Sequence, residues 1–529
     1  MAEPLTQQQP EKPKELTLSI DGRPVVVTPG TTLLQAALRL GIDISYFCWH
    51  PGLPIAAVCR QCLVEIVGQP KLAPACQVTC AEGMQVLTGS DRVLKVRQQM
   101  LEFTLLNHPV DCPICDKAGE CQLQKLYLEW DAKAARIDYP KLHKPKVVDL
   151  GPTVVLDAER CILCTRCIRV CDEVAKVHQL EIQLRGNHAE ICVAPGHHLD
   201  NPYSLNTVDV CPVGALTSKD FRFAQRAWEL SATPSICTGC ATGCATEIHH
   251  AKGRVYRLVP RLNAEVNRYW MCDAGRLTYK ELRQGRLTAP RVLGGLRKWD
   301  DALTAAASAL QPALAELGKV ALVLSAQLAN EDAFAAVRLA AALGIARVYT
   351  SGRPAGFGDD ILIHGDKNPN STGVRLIAGA TAKPAAALEA DLAAGALTAL
   401  LCVGEVHLGD AALAAAARLK VVAIASHESR LTNGATVALP ATAWAEHDAT
   451  YVNAKGMCQR ARAAVAAPAH ARPAWRIVGE LGTKLGQALA WASLPAVFAD
   501  LKAAVPAFAQ AELGPEQPTI QLRFKASRG

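Results

Sequence analysis

Eighteen of the twenty cysteines lie in the first 272 residues, and fifteen of them, with one histidine, sort into four groups of four. Sixteen sulfur and imidazole donors at short spacings constrain the fold more than any other feature. The first half of the chain must wrap around bound metal centres rather than simply close over an apolar core. Disulfides are the other common use of many cysteines, but disulfide scaffolds are small and secreted. This chain has 529 residues, and its amino-terminal MAEPLTQQQPEKPKE carries acids and no apolar core, unlike a signal or transit peptide. A disordered tail over residues 1–15 and a cytoplasmic location are expected.

The first group is Cys48, Cys59, Cys62 and Cys76, with ten, two and thirteen residues between successive members. Four thiolates suit a [2Fe–2S] cluster, although the first gap is wider than the plant-type spacing, and a structural zinc is the alternative. The second is His108, Cys112, Cys115 and Cys121, a donor set that suits zinc and a [4Fe–4S] cluster equally when taken alone. Its neighbours favour a cluster, and an imidazole in place of a thiolate should raise that cluster's potential. The third opens C-x2-C-x2-C at Cys161, Cys164 and Cys167, as in bacterial ferredoxins, and Cys211, followed by Pro212, completes it. Cys171 is left as a buried spare thiol. The fourth is Cys237, Cys240, Cys244 and Cys272, a [4Fe–4S] or zinc pattern in which Gly239 and Gly243 let backbone amides approach the sulfurs. Cys80, Cys192, Cys402 and Cys458 read as packing residues, and the histidine pairs at 197–198 and 249–250 as surface or packing residues.

The length calls for three or more domains. Leu16–Val27 reads as a hairpin turning at Asp21-Gly22, followed by a helix capped by Thr31 and stopped at Gly41. A helix is expected around Asp91–Leu106 and a linker at Lys141–Lys146. After Pro290 alanine dominates. The apolar runs Val320–Ser325 and Leu397–Val403 read as buried parallel strands, alternating with helical stretches such as Asp332–Leu343. The net charge of +7 is spread thinly, with no basic run, so nucleic acid is not an expected partner. No apolar run reaches the ~18 residues of a membrane span. No G-x-G-x-x-G follows a strand, so neither NAD nor flavin is expected on this chain.

Four such groups in this order resemble the large iron–sulfur subunit of NADH:quinone oxidoreductase, respiratory complex I. The resemblance runs from Leu16 to about Arg286 and includes D-C-P-I-C-D at Asp111–Asp116 and R-C-I-L-C-T-R-C-I-R at Arg160–Arg169. A-T-Y-V-N-A-K-G-M-C-Q-R at Ala449–Arg460 and A-R-P-A-W ending at Trp475 resemble a late segment of molybdopterin oxidoreductases. The resemblance implies an α/β multidomain chain in six parts. These are the tail (1–15), a [2Fe–2S] ferredoxin-like β-grasp domain (16–95), a [4Fe–4S] segment with one histidine and three cysteine ligands (96–140), a ferredoxin-like [4Fe–4S] segment (141–230), a fourth [4Fe–4S] domain (231–286), and a shortened, degenerate molybdopterin-oxidoreductase-like α/β domain (287–529).

It also implies an electron relay. Electrons entering from NADH at a partner's flavin would pass through one [2Fe–2S] and two [4Fe–4S] clusters toward quinone, with a third [4Fe–4S] cluster off the main path. The implied partners are the flavin- and NADH-binding subunit, a [2Fe–2S] subunit and connecting quinone-module subunits, on the inner face of a bacterial plasma membrane. Membrane contact would come only through those partners. Two departures argue against a working pterin site. The last part is short for a molybdopterin domain, and Ala274 stands where molybdenum enzymes carry a lysine linking cluster and pterin. The alternatives are a molybdenum or tungsten formate dehydrogenase-like catalytic subunit, with Cys402 as the metal ligand, and a diaphorase subunit of an NAD-linked hydrogenase.

Overall fold

The computed structural model describes residues 15–130, 136, 139–468, 470–489 and 491–511. Apart from Glu15, the tail expected over 1–15 lies outside them. The chain divides after Trp228 into two compact units.

The first unit begins with β1 (Leu16–Ile20) and β2 (Arg23–Val27), paired antiparallel around Asp21 and Gly22. Both turn residues have positive φ, 48° and 74°, as a two-residue primed turn demands. The Asp21 carboxylate also accepts from the Thr88 backbone N–H at 2.6 Å, fastening the turn to the end of a later strand. The helix α1 (Leu33–Arg39) is capped by Thr32 rather than by Thr31. Thr32 is extended, its hydroxyl accepts from Gln35 N–H, and the Gln35 side chain returns a bond to the Thr32 N–H. The cap falls at Thr32 because only there does a glutamine stand three residues on. With β3 (Leu63–Ile66), β4 (Ala73–Pro74) and β5 (Gln85–Leu87) the sheet runs β2-β1-β5-β3-β4, with β1 and β5 parallel. A helix packed across such a mixed sheet makes the expected β-grasp.

The helix expected around residues 91–106 forms as α2 (Asp91–Leu105), capped by Ser90, and α3 (Gln122–Trp130) follows. Residues 141–146, expected as a linker, are instead tied down. The Lys141 ammonium donates to the Leu105 carbonyl at 2.6 Å, and the Pro145 carbonyl accepts from Ala158 N–H. Lys146 lies among Asp111, Asp157 and Glu159. Of the basic residues that look like solvated punctuation in sequence, Lys146 and His143 face the buried acid Glu159, while Lys141 and Lys144 donate to main-chain carbonyls. The rest of the unit is small: β6 (Val148–Asp149), β7 (Val154–Leu156), α4 (Arg166–Val170), β8 (Leu180–Gln183), β9 (Glu190–Val193), α5 (Asn206–Val210) and β10 (Leu216–Ser218). Such short elements cannot bury a large core of their own.

The second unit opens with a three-stranded antiparallel sheet of β11 (Ser231–Ile236), β12 (Ala245–Ala251) and β13 (Arg254–Pro260), followed by the short helix α6 (Asp273–Leu277). Beyond it lies an α/β layer. A short antiparallel pair, β14 (Arg291–Val292) and β15 (Gly295–Leu296), edges six parallel strands. These are β16 (Val320–Ser325), β17 (Arg347–Ser351), β18 (Lys383–Pro384), β19 (Ala399–Val403), β20 (Lys420–Ala425) and β21 (Val437–Pro440), in the order β18-β17-β16-β19-β20-β21. β16 and β19 are wholly buried, so they read as continuous apolar runs and not as alternating ones. The second starts at Ala399, two residues after the expected Leu397. Helix α7 spans Trp299–Leu314, and the helix expected over 332–343 forms as α8 (Asn330–Ala342).

Candidate functional site

In the first group three of the thiol pairs lie within hydrogen-bonding reach. Cys48 meets Cys59 and Cys76, and Cys62 meets Cys76. Those mutual bonds hold Cys48 and Cys62 below the usual thiol range and push Cys59 and Cys76 above it. Four thiolates cannot share this space without a cation among them. The Cys59 sulfur also accepts from the backbone N–H groups of Phe47 and Cys48, each at 3.4 Å.

The second group lines a small pocket of about 30 Å³ whose wall includes His108, Cys112, Cys115, Cys121 and Gly214. Burial lowers the His108 pKa to about 4, so its ring is neutral and able to ligate. Its Nδ1 is buried without a hydrogen-bond partner among the described residues. Burial raises Cys115 and pushes Cys121 up to about 12. A β-carbon on Gly214 would lie 2.2 Å from the Cys115 sulfur, so only glycine fits against this wall.

In the third group burial pushes Cys161 up to about 12, Cys164 to about 11 and Cys167 well above the thiol range, and each is raised further by other members of the group. The charge of Cys211 adds to the rise at all three. Cys171 is fully buried and pushed up to about 12 by burial, Asp172 adding to the rise against a hydrogen bond from Asn201.

The fourth group sits in the second unit. β11 runs into Cys237, Cys244 runs into β12, and the Cys237 N–H donates to the Cys244 carbonyl at 2.8 Å. Cys272 caps α6, its sulfur accepting from Gly275 N–H at 3.3 Å. Gly239 N–H donates to the Cys237 sulfur at 3.4 Å, the approach expected of that glycine. A β-carbon on Gly275 would lie 2.9 Å from the Cys237 sulfur. Buried Asn267 ties the loop together, bonding to the Ala245 N–H and to the carbonyls of Ala245, Arg261 and Trp270. Burial raises Cys237 and Cys244 strongly and Cys272 to about 11.

Each group is thus a set of buried or half-buried soft donors, with backbone amides or close-packed glycines at the sulfurs. That donor chemistry fits iron–sulfur clusters. No three His, Cys, Asp or Glu side chains among the described residues have the close spacing of ligands to one bare ion.

The structure adds a backbone feature that the sequence does not announce. Ala57 and Arg60 flank Cys59, Leu163 and Thr165 flank Cys164, and Val110 lies between His108 and Cys112. All five are non-glycine residues in left-handed backbone, with φ between 51° and 59°. Each such residue costs on the order of 1–3 kcal/mol and persists only where its surroundings demand it. At Leu163 the gain is visible, since its N–H donates to the Cys161 sulfur at 3.4 Å.

The first three groups are also joined through the third. Arg169 bonds to the carbonyls of both Cys48 and Cys164. On the other side, Arg160 Nε and Nη2 grip the Asp111 carboxylate at 2.9 and 2.5 Å, and Gln122 N–H donates to the Pro212 carbonyl at 2.9 Å.

Of the remaining cysteines, Cys402 is 1% exposed in β19, packed among apolar neighbours and pushed up to about 12 by burial. It is a packed sheet residue, the role expected for it. Cys80 is buried, and Cys192 and Cys458 are half-buried. His197 and His198 are exposed. His249 accepts from Arg257 Nε at 3.0 Å, and His250 bonds to Thr233.

Outside the carboxyl ends of β16 and β19, where strand order reverses, a cavity of about 440 Å³ opens. Four carboxylates line it (Glu281, Asp332, Glu405 and Glu428), with three histidines and the single guanidinium of Arg353. A phosphate-bearing pterin would meet net negative charge there.

These features define a chain of iron–sulfur domains followed by an α/β domain. Residues 13–91 match the 2Fe-2S iron-sulfur cluster binding domain, 97–136 the NADH-ubiquinone oxidoreductase-G iron-sulfur binding region, and 151–217 the ferredoxin-like domain of NADH-quinone oxidoreductase subunit 3. Residues 230–284 match the molybdopterin oxidoreductase Fe4S4 domain, and 380–484 match molybdopterin oxidoreductase itself. The chain is similar to the G subunit of NADH-quinone oxidoreductase, and the resemblance read from the sequence holds. It is 40% identical to that protein of Streptomyces coelicolor over 332 residues, 61% of this chain and 39% of the relative. For the Mycobacterium bovis protein the identity is 36% over 340 residues, covering 62% and 42%. For the Rickettsia bellii protein it is 39% over 300 residues, covering 56% and 44%. The chain therefore spans about two fifths of the length of these relatives. A solved NAD+-reducing [NiFe]-hydrogenase chain shares 30% identity over 40% of this chain and 90% of its own length, with a TM-score of 0.36.

Proposed function

We propose that the chain is an electron-relay subunit of an NADH:quinone oxidoreductase. Cys48, Cys59, Cys62 and Cys76 would hold one [2Fe–2S] cluster. His108 with Cys112, Cys115 and Cys121, then Cys161, Cys164, Cys167 and Cys211, then Cys237, Cys240, Cys244 and Cys272, would each hold a [4Fe–4S] cluster. Bound clusters supply reversible one-electron carriers. The chain's own residues bury the ligands, aim N–H groups at the sulfurs and fix the spacing between sites. The observation that carries this reading is the bonding of the third group to both the first and the second, which makes a continuous run in the order first, third, second. The domain edges proposed are those at residues 95, 140, 230 and 286. Molybdopterin is not expected, given the acidic lining of the 440 Å³ cavity and the exposed Ala274 at the start of α6.

The partners proposed are a flavin- and NADH-binding subunit on the input side and iron–sulfur and quinone-module subunits on the output side. Among the described residues no helix is long and apolar enough to cross a membrane. Attachment to the inner face of the plasma membrane would come through those partners, and relay and translocation would occur only in the whole assembly.

The input side is testable directly. The purified, cluster-loaded chain mixed with NADH should stay oxidised, and adding the flavin subunit should let NADH reduce it, followed by low-temperature electron paramagnetic resonance. Reduction by NADH without that subunit would contradict the proposal.

A further inference from the structure

Two arginines lie between the first and third groups, one turn apart on α4. Arg169 Nη2 donates to the carbonyl of Cys48 at 2.7 Å and to that of Cys164 at 3.1 Å, so a single nitrogen joins a member of each group. Its Nη1 reaches the Pro54 carbonyl at 2.5 Å, in the loop that leaves Cys48. Arg166 repeats the pattern on the buried side. Its Nη2 donates to the carbonyl of Trp49, next to Cys48, at 2.6 Å, and its Nη1 to that of Val210, next to Cys211, at 2.9 Å. Arg166 is 5% exposed, and its Nε has no hydrogen-bond partner among the described residues.

Every bond these guanidiniums make goes to a main-chain carbonyl or, for Arg166, is complemented by the Tyr46 ring 5.9 Å away. Neither has a carboxylate partner among the described residues. An unpaired cation as buried as Arg166, with half-buried Arg169 beside it, is costly unless negative charge lies nearby. Here the nearest sources are the two sets of thiolates. A lysine would keep the charge but reach fewer of these carbonyls, because only a planar fork meets several at once from a fixed geometry.

We propose that Arg166 and Arg169 form a cationic clamp between the first and third cluster sites, fixing their separation and favouring the reduced state of both. The clamp rests on the cluster assignment proposed above. Both residues act through the ligand loops, so they are positioning residues. Reduction adds an electron to each centre, and a fixed cation between the two stabilises that added charge. Removing the cation therefore lowers both potentials.

The test uses the full chain purified within its complex, with Arg169→Gln and Arg169→Lys, iron analysis and a redox titration followed by electron paramagnetic resonance. At fixed ambient potential, Arg169→Gln should lower the reduced-to-oxidised ratio of the first and third clusters about tenfold, which is about 59 mV for a one-electron couple. The second and fourth clusters should not move, and Arg169→Lys, which keeps the charge, should shift the first and third less. An unshifted pair in an iron-replete Arg169→Gln protein, or a shift confined to one cluster, would overturn the clamp. Should Arg169→Gln lose iron from the first and third sites alone, restored loading in Arg169→Lys would support it, and continued loss there would overturn it. Loss of iron from all four sites would mark general unfolding and also count against it. Absence of the binuclear and tetranuclear signals from the unaltered protein would instead sink the cluster assignment.

Discussion

Replacing Cys164 with alanine is expected to remove about four iron atoms per chain, the content of one tetranuclear cluster, and to stop quinone reduction by NADH. Reduction of soluble dyes at the partner's flavin should survive. The reason is position. Cys164 is 8% exposed, its carbonyl takes the bond from Arg169, and its group is joined to the first on one side and to the second on the other. A gap in the middle of a run cannot be bypassed from within the chain. Paired assays of NADH–quinone and NADH–dye activity check this, and quinone reduction at the normal rate would remove the third group from the path.

Arg160→Met should produce the largest loss of stability. Arg160 is only 4% exposed and grips Asp111 through two nitrogens, with Asp157 3.2 Å from Nη1. Asp157 is itself 3% exposed, and burial raises its pKa while Arg160 and Lys146 pull it down. Removing the guanidinium leaves these carboxylates short of a partner, with only half-exposed Lys146 close by. Breaking a buried ion pair from one side costs about 3–5 kcal/mol. Chemical denaturation should show that loss. The second cluster should also be lost first, because Asp111 adjoins Cys112 and no longer anchors its loop. A variant within about 1 kcal/mol of the parent, the level of an exposed pair, would contradict this account.

Much of the site was legible because ligand spacing is a local property. A C-x2-C turn brings two sulfurs to one centre wherever it occurs, so the groups at Cys59–Cys62, Cys112–Cys115, Cys161–Cys167 and Cys237–Cys244 could be read directly. The hairpin at Asp21-Gly22 was legible for the same reason. What could not be read depends on distant parts of the chain. The third group's place between the first and second follows from Arg169 meeting Cys48 across 121 residues and Arg160 meeting Asp111 across 49. The left-handed backbone at Ala57, Arg60, Val110, Leu163 and Thr165 is invisible in sequence, because none of these is the glycine that usually marks it. Residues 141–146 looked like a linker because the acids and carbonyls they bond to are remote in sequence. In the alanine-rich half, β16 formed on the expected residues, but the start of β19 and the ends of α8 shifted, since alanine marks neither a face nor a boundary.

The central claim is that the four groups hold four iron–sulfur clusters. It is tested most directly by metal analysis of the purified, reconstituted chain together with its low-temperature electron paramagnetic resonance spectrum. The account predicts about 14 iron atoms per chain, from one binuclear and three tetranuclear clusters, with little zinc or molybdenum and with signals of both cluster types on reduction. A chain that takes up zinc at these sites and holds little iron would contradict it.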